Sequence, residues 1–230
     1  FQVFKNSPAM EAGLLTGDKI IKVDGTDVNW DTYEQAIAMM KTGEPGSTVK
    51  ITILRDGVQE EYTVRRDIVE IPDLEYRMID EEIGYIWLYS FDSNASKNFE
   101  TAVKDLEGRG MKGLILDLRG NGGGLLEVCR DIADILLPEG LVVYSEDRNG
   151  NRTEYKSGPD ALNIPLAVLV NGYSASASEV LAGAIQDYGV GTIIGTTTFG
   201  KGVVQTMRYY DDGSGLKLTT YKYFTPKGRD

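Results

Sequence analysis

Residues 113–137 read GLILDLRGNGGGLLEVCRDIADILL, and this stretch sets the fold class. Its first six residues form a short, mostly apolar run, the pattern of a strand buried on both faces. Arg119 and the glycines up to Gly124 interrupt the run. From about Leu125 to Leu137 apolar side chains then recur at helical spacing. The same order returns downstream, where PLAVLVN (165–171) feeds a turn of small residues and then the helical SEVLAGAIQDYG (178–189). Strand–helix alternation of this kind predicts an α/β core, α+β over the whole chain, built around a central sheet.

Upstream of that stretch, Leu74 to Ile79 and Ile83 to Ser90 read as paired strands, and Ser93 to Glu107 as a helix with Phe99, Val103 and Leu106 inward. The first 66 residues have a different character. Residues 1–4 suggest a strand, and Ser7 to Ala12 a short helix with Pro8 at its first position, where a missing N–H does no harm. Ile20, Ile21 and Val23 form a strand closed by the turn Asp24-Gly25. Thr32 to Lys41 carry Tyr33, Ala36, Ile37 and Met40 at helical spacing, and two strands, Val49 to Leu54 and Glu61 to Arg66, meet at the hairpin turn Asp56-Gly57. The chain therefore divides into a small α/β module over 1–67 and a larger core over 68–230, with a junction at Arg66 to Pro72 that is short and lacks the Gly/Ser character of a free linker.

Composition removes several classes of function. A net charge of −11, with Lys and Arg scattered singly, argues against a nucleic-acid surface. No run approaches the roughly 18 to 20 apolar residues of a membrane-spanning helix. One cysteine, Cys129, excludes an internal disulfide and a multi-cysteine zinc cluster, and its place in LLEVCRDIADILL puts it on the core face of a helix. The chain has no histidine. A Ser-His-Asp triad, a Cys-His dyad and His-ligated metals are thereby ruled out, and any hydrolytic base must be Lys, Asp, Glu, Tyr or an amine. Neither a metal nor an organic cofactor is expected.

Three segments can carry chemistry. In VNGYSASASEVLAGAI (170–185) a buried strand runs through a turn into a helix, which leaves Ser176 near the helix amino terminus, where unpaired N–H groups and the positive dipole end lie. That place suits a nucleophile, and it equally suits simple capping by Ser174, Ser176 or Ser178. In GTTTFGKGVVQ (195–205) the first seven residues match the GxxxxGK of a phosphate-binding loop, but Gly202 replaces the Ser or Thr that would hold magnesium and a β-rich stretch follows where that loop needs a helix. With no histidine available, Lys201 is the natural partner for a serine. A lysine amine works as a base only where apolar neighbours strip it of water, and Phe199, Val203 and Val204 are the expected surroundings. Gln205 can orient the amine without adding charge. In the glycine cluster, the N–H of Gly123 or Gly124, together with that of Ala177, can form an oxyanion hole; a tight strand-to-helix turn is the plainer alternative.

LDLRGNGGG, NGYSASASEVLAGA and GTTTFGKGVVQ occur in the order and spacing of the carboxyl-terminal processing peptidases, or tail-specific proteases, and NSPAMEAGLLTGDKIIKVDG (6–25) resembles the PDZ modules attached to such enzymes. The resemblance extends over the whole chain. It implies a serine protease core with a ClpP/crotonase-like fold preceded by a PDZ domain, with the PDZ domain expected to begin before Phe1 and the protease core to continue past Asp230. Carried over, the nucleophile falls on Ser176, the general base on Lys201 and the assisting glutamine on Gln205. The oxyanion glycine falls within Gly122 to Gly124, with Gly124 favoured over Gly123. The resemblance further implies polypeptide substrates with hydrophobic C-termini and an extracytoplasmic setting in the bacterial periplasm or cell envelope. Membrane association through segments outside this chain and self-association are both compatible with it. Two rivals remain at this point. One is a PDZ scaffold with a silent core, against which the intact Ser176, Lys201 and Gln205 speak; the other is an acyl-CoA-handling relative of the crotonase fold, in which a PDZ module and a Ser–Lys pair are unexpected.

Overall fold

The computed structural model describes residues 3, 7–69 and 72–229, which fall into two units, Phe1–Ile71 and Pro72–Asp230. In the first unit, helix α1 (Pro8–Glu11) starts at a proline whose fixed φ is already helical, and the Ser7 hydroxyl accepts the Met10 N–H at 3.2 Å. Strands β1 (Lys19–Val23), β2 (Thr26–Asp27), β3 (Thr48–Arg55) and β4 (Val58–Arg65) form an antiparallel sheet in the order β2-β1-β3-β4, and α2 (Tyr33–Lys41) joins β2 to β3. Both hairpin turns use an Asp-Gly pair with positive φ, 46° and 81° at Asp24-Gly25 and 51° and 82° at Asp56-Gly57. This left-handed pair matches the twist of the flanking strands. Leu14, Val23, Ala36, Ile51 and Ile53 form the centre of this unit's core. The strand expected over residues 1–4 lies, except for Val3, outside the described residues.

One buried ion pair braces this sheet. Asp18, almost wholly enclosed, accepts Nε and Nη2 of Arg55 at 2.7 and 2.6 Å and the Leu15 N–H at 2.8 Å. The Arg55 hydrogen bonds hold the Asp18 carboxyl below the usual carboxylate range, against the opposing effect of burial.

The second unit runs β5 (Leu74–Met78), β6 (Ile83–Leu88), α3 (Ala95–Gly108), β7 (Gly113–Asp117), α4 (Leu126–Leu136), β8 (Gly140–Asp147), β9 (Arg152–Ser157), β10 (Leu166–Val170), α5 (Ala177–Tyr188), β11 (Thr192–Gly195), β12 (Val203–Tyr209) and β13 (Gly215–Phe224). The first of its two sheets has the order β11-β10-β7-β6-β5, with β5 antiparallel and the other four strands parallel. The second is antiparallel, in the order β12-β13-β8-β9. The fold is thus mixed α/β as the alternation predicts, but the β8–β9 hairpin around Asn149-Gly150 and the second sheet it helps to build were not among the expected elements.

A single core cluster includes Phe91, Phe99, Leu106, Leu116, Ile132 and Val168. Helix α5 is buried on most of its circumference, through Ala177, Ser178, Val180, Leu181, Ala182, Ala184 and Ile185. Packing therefore fixes where its amino terminus lies. In the parallel register Leu169 stands opposite Asp117, and Val170 opposite Gly195. Strands β7, β10 and β11 consequently end side by side, and the three segments singled out above leave the sheet at the same edge, as ligand-binding loops of open α/β sheets do.

A depressed folded-state pKa at Asp18 contributes stability that is fully present above the unfolded value of about 4 and lost as pH falls through the folded one. Asp18→Asn is therefore expected to lower the urea midpoint at pH 7 and to flatten its fall between pH 7 and pH 3. Equal midpoints for parent and variant at pH 7 would show that the pair does not brace the unit.

Candidate active site

Residues 118–124 leave β7 and pass under the turn that leaves β10, and hydrogen bonds join the two. The Ala175 N–H and the Ser178 hydroxyl donate to the Asn121 carbonyl at 3.0 and 2.9 Å, and the Ser174 hydroxyl donates to the Leu118 carbonyl at 2.7 Å while accepting the Asn171 N–H. Fully buried Asn121 completes the joint: its side-chain NH₂ donates to the Leu88 carbonyl at 2.9 Å and its Oδ1 accepts the Gly123 N–H at 2.8 Å. Of three serines that sequence alone leaves equivalent, two are therefore enclosed and committed to main-chain carbonyls. Ser176 is only half-buried and opens on a cleft of about 420 Å³.

Ser176 has φ 57° and ψ −116°, a backbone conformation that costs a non-glycine residue about 1–3 kcal/mol and persists only where the surroundings enforce it. Two neighbours do so. Gly123, at φ 100°, approaches so closely that a Cβ there would lie 2.7 Å from the Ala175 carbonyl oxygen and 2.8 Å from the Ser176 Cβ. Opposite, Glu179 Oε2 accepts the Ser176 N–H at 2.8 Å.

The same carboxylate reaches further, accepting the Gly200 N–H at 2.6 Å through Oε1 and the Lys201 N–H at 2.9 Å through Oε2. One side chain at the start of α5 thus fixes both the serine turn and the lysine loop, and the Phe199 N–H adds a bond to the Ser174 carbonyl at 3.0 Å. Sequence reading passed over Glu179. Its only signal there is the Ser-x-x-Glu spacing, which reads as helix capping.

Ser176, Lys201, Gln205, Gly124 and Ala177 all line the one cleft, with Leu126, Tyr155, Val180 and Val204 supplying apolar wall. The Ala177 N–H is the first of α5 and has no intrahelical acceptor. Neither it nor the Gly124 N–H donates to another described residue, whereas the Gly123 N–H is taken by Asn121. Gly124 is itself confined, since a Cβ there would fall 2.5 Å from the Phe91 carbonyl oxygen. Phe199 does not provide the apolar surroundings expected for the lysine: it is 67% exposed, because its loop is held through main-chain bonds rather than by burying the ring. Val203 and Val204 do flank Lys201 in the cleft wall.

Behind the glycine loop, buried Asp117 accepts Nε and Nη2 of Arg119 at 2.9 and 2.6 Å, the Arg119 N–H at 2.9 Å and the Tyr85 hydroxyl at 2.7 Å. Burial alone would raise the Asp117 pKa, but these donors outweigh it and the carboxyl is held low; burial and Asp117 together push the Tyr85 phenol up to about 12. Cys129, fully buried, donates its thiol to the Ala177 carbonyl at 3.3 Å, and burial pushes its pKa well above the usual thiol range. No cluster of three or more Cys, Asp or Glu side chains suited to a metal occurs among the described residues, and no helix among them is long and apolar enough to cross a membrane.

The PDZ domain family matches residues 1–65 and peptidase family S41 matches residues 82–230. A carboxyl-terminal-processing protease of Synechocystis is 41% identical over 231 residues, covering 97% of this chain and 54% of the relative. The carboxy-terminal processing protease CtpA of Bacillus subtilis is 38% identical, covering 97% and 48%. Among solved structures, the photosystem II D1 C-terminal processing protease superposes with a TM-score of 0.67 at 35% identity, covering 97% of this chain and 62% of that one. The chain spans about half the length of the curated relatives it matches. With a PDZ domain ahead of it and the family's match spanning the strands and loops that form the cleft, the chain belongs to peptidase family S41.

Proposed function

We propose that the chain carries the catalytic core of a serine endopeptidase that cuts polypeptides near their C-termini, with Ser176 as nucleophile and Lys201 as general base. The observation that carries this reading is the shared cleft: the one serine of SASAS not committed to a main-chain carbonyl opens there beside Lys201, Gln205 and the undonated N–H groups of Gly124 and Ala177. Unprotonated Lys201 takes the Ser176 proton as Oγ attacks the peptide carbonyl. The carbonyl oxygen, now an anion, lies between the Gly124 and Ala177 N–H groups. The Lys201 ammonium returns the proton to the departing amine, the C–N bond breaks, and the C-terminal fragment leaves. Water then attacks the acyl ester, with Lys201 again taking and returning the proton. Gln205 lines the cleft as a neutral hydrogen-bonding partner for the amine.

The PDZ unit is proposed to engage hydrophobic C-terminal tails. An apolar cavity of about 490 Å³ in that unit, lined by Leu14, Ile20, Met40 and Ile51 with Lys41 at its wall, supports such a ligand. Apolar side chains fit its walls, and a cation suits the terminal carboxylate.

Casein cleavage by the complete protein is expected to vanish in Ser176→Ala and in Lys201→Ala, with melting temperature unchanged; normal turnover by either variant would refute the assignment. Glu179→Gln is expected to speed hydrogen exchange at the Gly200 and Lys201 amides. It should also cut kcat/KM by about tenfold or more, the scale of a lost hydrogen bond to a charged group. Unchanged exchange at both amides would show that the carboxylate does not hold the loop.

A further inference from the structure

Tyr223 lies in β13, where its N–H donates to the Gly202 carbonyl at 3.2 Å, one residue beyond Lys201. Its side chain is more than nine-tenths buried, and its hydroxyl is the one enclosed side-chain polar group among the described residues that has no hydrogen-bond partner. A buried hydroxyl left unpaired is unfavourable. Phenylalanine would fill the same space without that penalty, as Phe91 and Phe99 do elsewhere in the same core. The hydroxyl therefore calls for a partner that another state of the cleft supplies.

Position identifies the partner. Tyr223 belongs to the wall shared by two clefts, the one that holds Ser176 and a second that is lined by Glu179, Gly200 and Thr198. The residues common to both are Lys201, Val203 and Tyr223, so the tyrosine and the lysine belong to the same partition. The Lys201 side chain is half-buried, and its ε-amine makes no hydrogen bond or ion pair with the described residues; only its backbone N–H is held, by Glu179. Burial, followed by the nearby Glu179 carboxylate, pushes the phenol pKa well above the usual range, which keeps the hydroxyl neutral. A neutral oxygen can accept from a lysine without the strong bias toward the ammonium that a carboxylate would bring.

We infer that the Tyr223 hydroxyl is a positioning group for Lys201, accepting one N–H of the ε-amine when the flexible side chain turns toward β13 and leaving the amine lone pair directed at Ser176. The inference rests on the Ser–Lys reading given above. Gln205 serves as the second neutral acceptor, so that amine and ammonium are both held through the proton transfers. Tyr223 itself exchanges no proton with substrate.

The test compares the complete protein with Tyr223→Phe and Ser176→Ala by three measurements: casein cleavage from pH 5 to 10, labelling of Ser176 by a fluorophosphonate over the same range, and melting temperature. Tyr223→Phe should melt at or slightly above the parent temperature, because no bond is lost. Its kcat and labelling rate should fall about 10- to 100-fold, the scale of a hydrogen bond to a charged group, with KM within about twofold. The acid limb of both pH profiles should move to lower pH, because an oxygen that accepts from the ammonium favours the charged amine and its removal does the reverse. Parent-like rates and pH profiles in Tyr223→Phe, with Ser176→Ala inactive, would overturn the inference and leave the protease reading standing. A large fall in melting temperature would give the hydroxyl a structural task and overturn it equally. A parent protein that neither cleaves casein nor takes the label at any pH would refute the Ser–Lys reading, and this inference with it.

Discussion

The parallel register of β7, β10 and β11 is the constraint on which the rest of the site depends. Pairing Leu169 with Asp117 and Val170 with Gly195 brings three strand ends to one line, so loops separated by about 50 residues in the first case and 25 in the second begin as neighbours. A slip of one residue between β7 and β10 would exchange the side chains that these buried and half-buried strands pack on the two faces of the sheet. Core packing therefore enforces the register, and the register delivers the loops. What remains to the loops is fine placement, and they achieve it with hydrogen bonds from enclosed polar groups rather than with further hydrophobic contact.

Two side chains carry most of that placement. Asn121 uses its main-chain carbonyl, its Oδ1 and its NH₂ to bind the glycine loop to the serine turn and to β6. Glu179 joins the serine turn to the lysine loop. Each is satisfied by main-chain groups, whose positions do not vary with rotamer, and each leaves free the side chains that face the cleft. The strained backbone of Ser176 is sustained by this enclosure, and Gly123 and Gly124 are glycine because Ala175, Ser176 and Phe91 leave no room for a Cβ.

Much of this was legible in the sequence, for identifiable reasons. Apolar runs, helical spacing and Asp-Gly pairs located the parallel strands, the helices and the small module's hairpins, because those signals are local. The β8–β9 hairpin escaped notice although Val142, Val143 and Asn149-Gly150 mark it, because β9 is mostly exposed and its polar residues do not stand out from a loop. Which of Ser174, Ser176 and Ser178 opens on the cleft could not be read from spacing, since all three are equally good caps; Ser174 and Ser178 are turned inward by two carbonyls, those of Leu118 and Asn121, more than 50 residues away in the chain. Glu179 reads as an ordinary capping residue for the same reason: the second half of its task lies 21 residues downstream. Tyr223 gives no signal at all, since an unpaired hydroxyl is defined only by what surrounds it.

Cys129 has a practical consequence. Its thiol is sealed between α4 and α5 against the Ala177 carbonyl, one residue from the proposed nucleophile, and no second cysteine is present. Alkylating reagents can reach it only when those two helices part. The rate at which a maleimide modifies the native protein is therefore a clock for that separation, readable by mass alone and free of background from any other thiol in the chain. The molecule carries its own single-site reporter on the opening of the helix that presents Ser176.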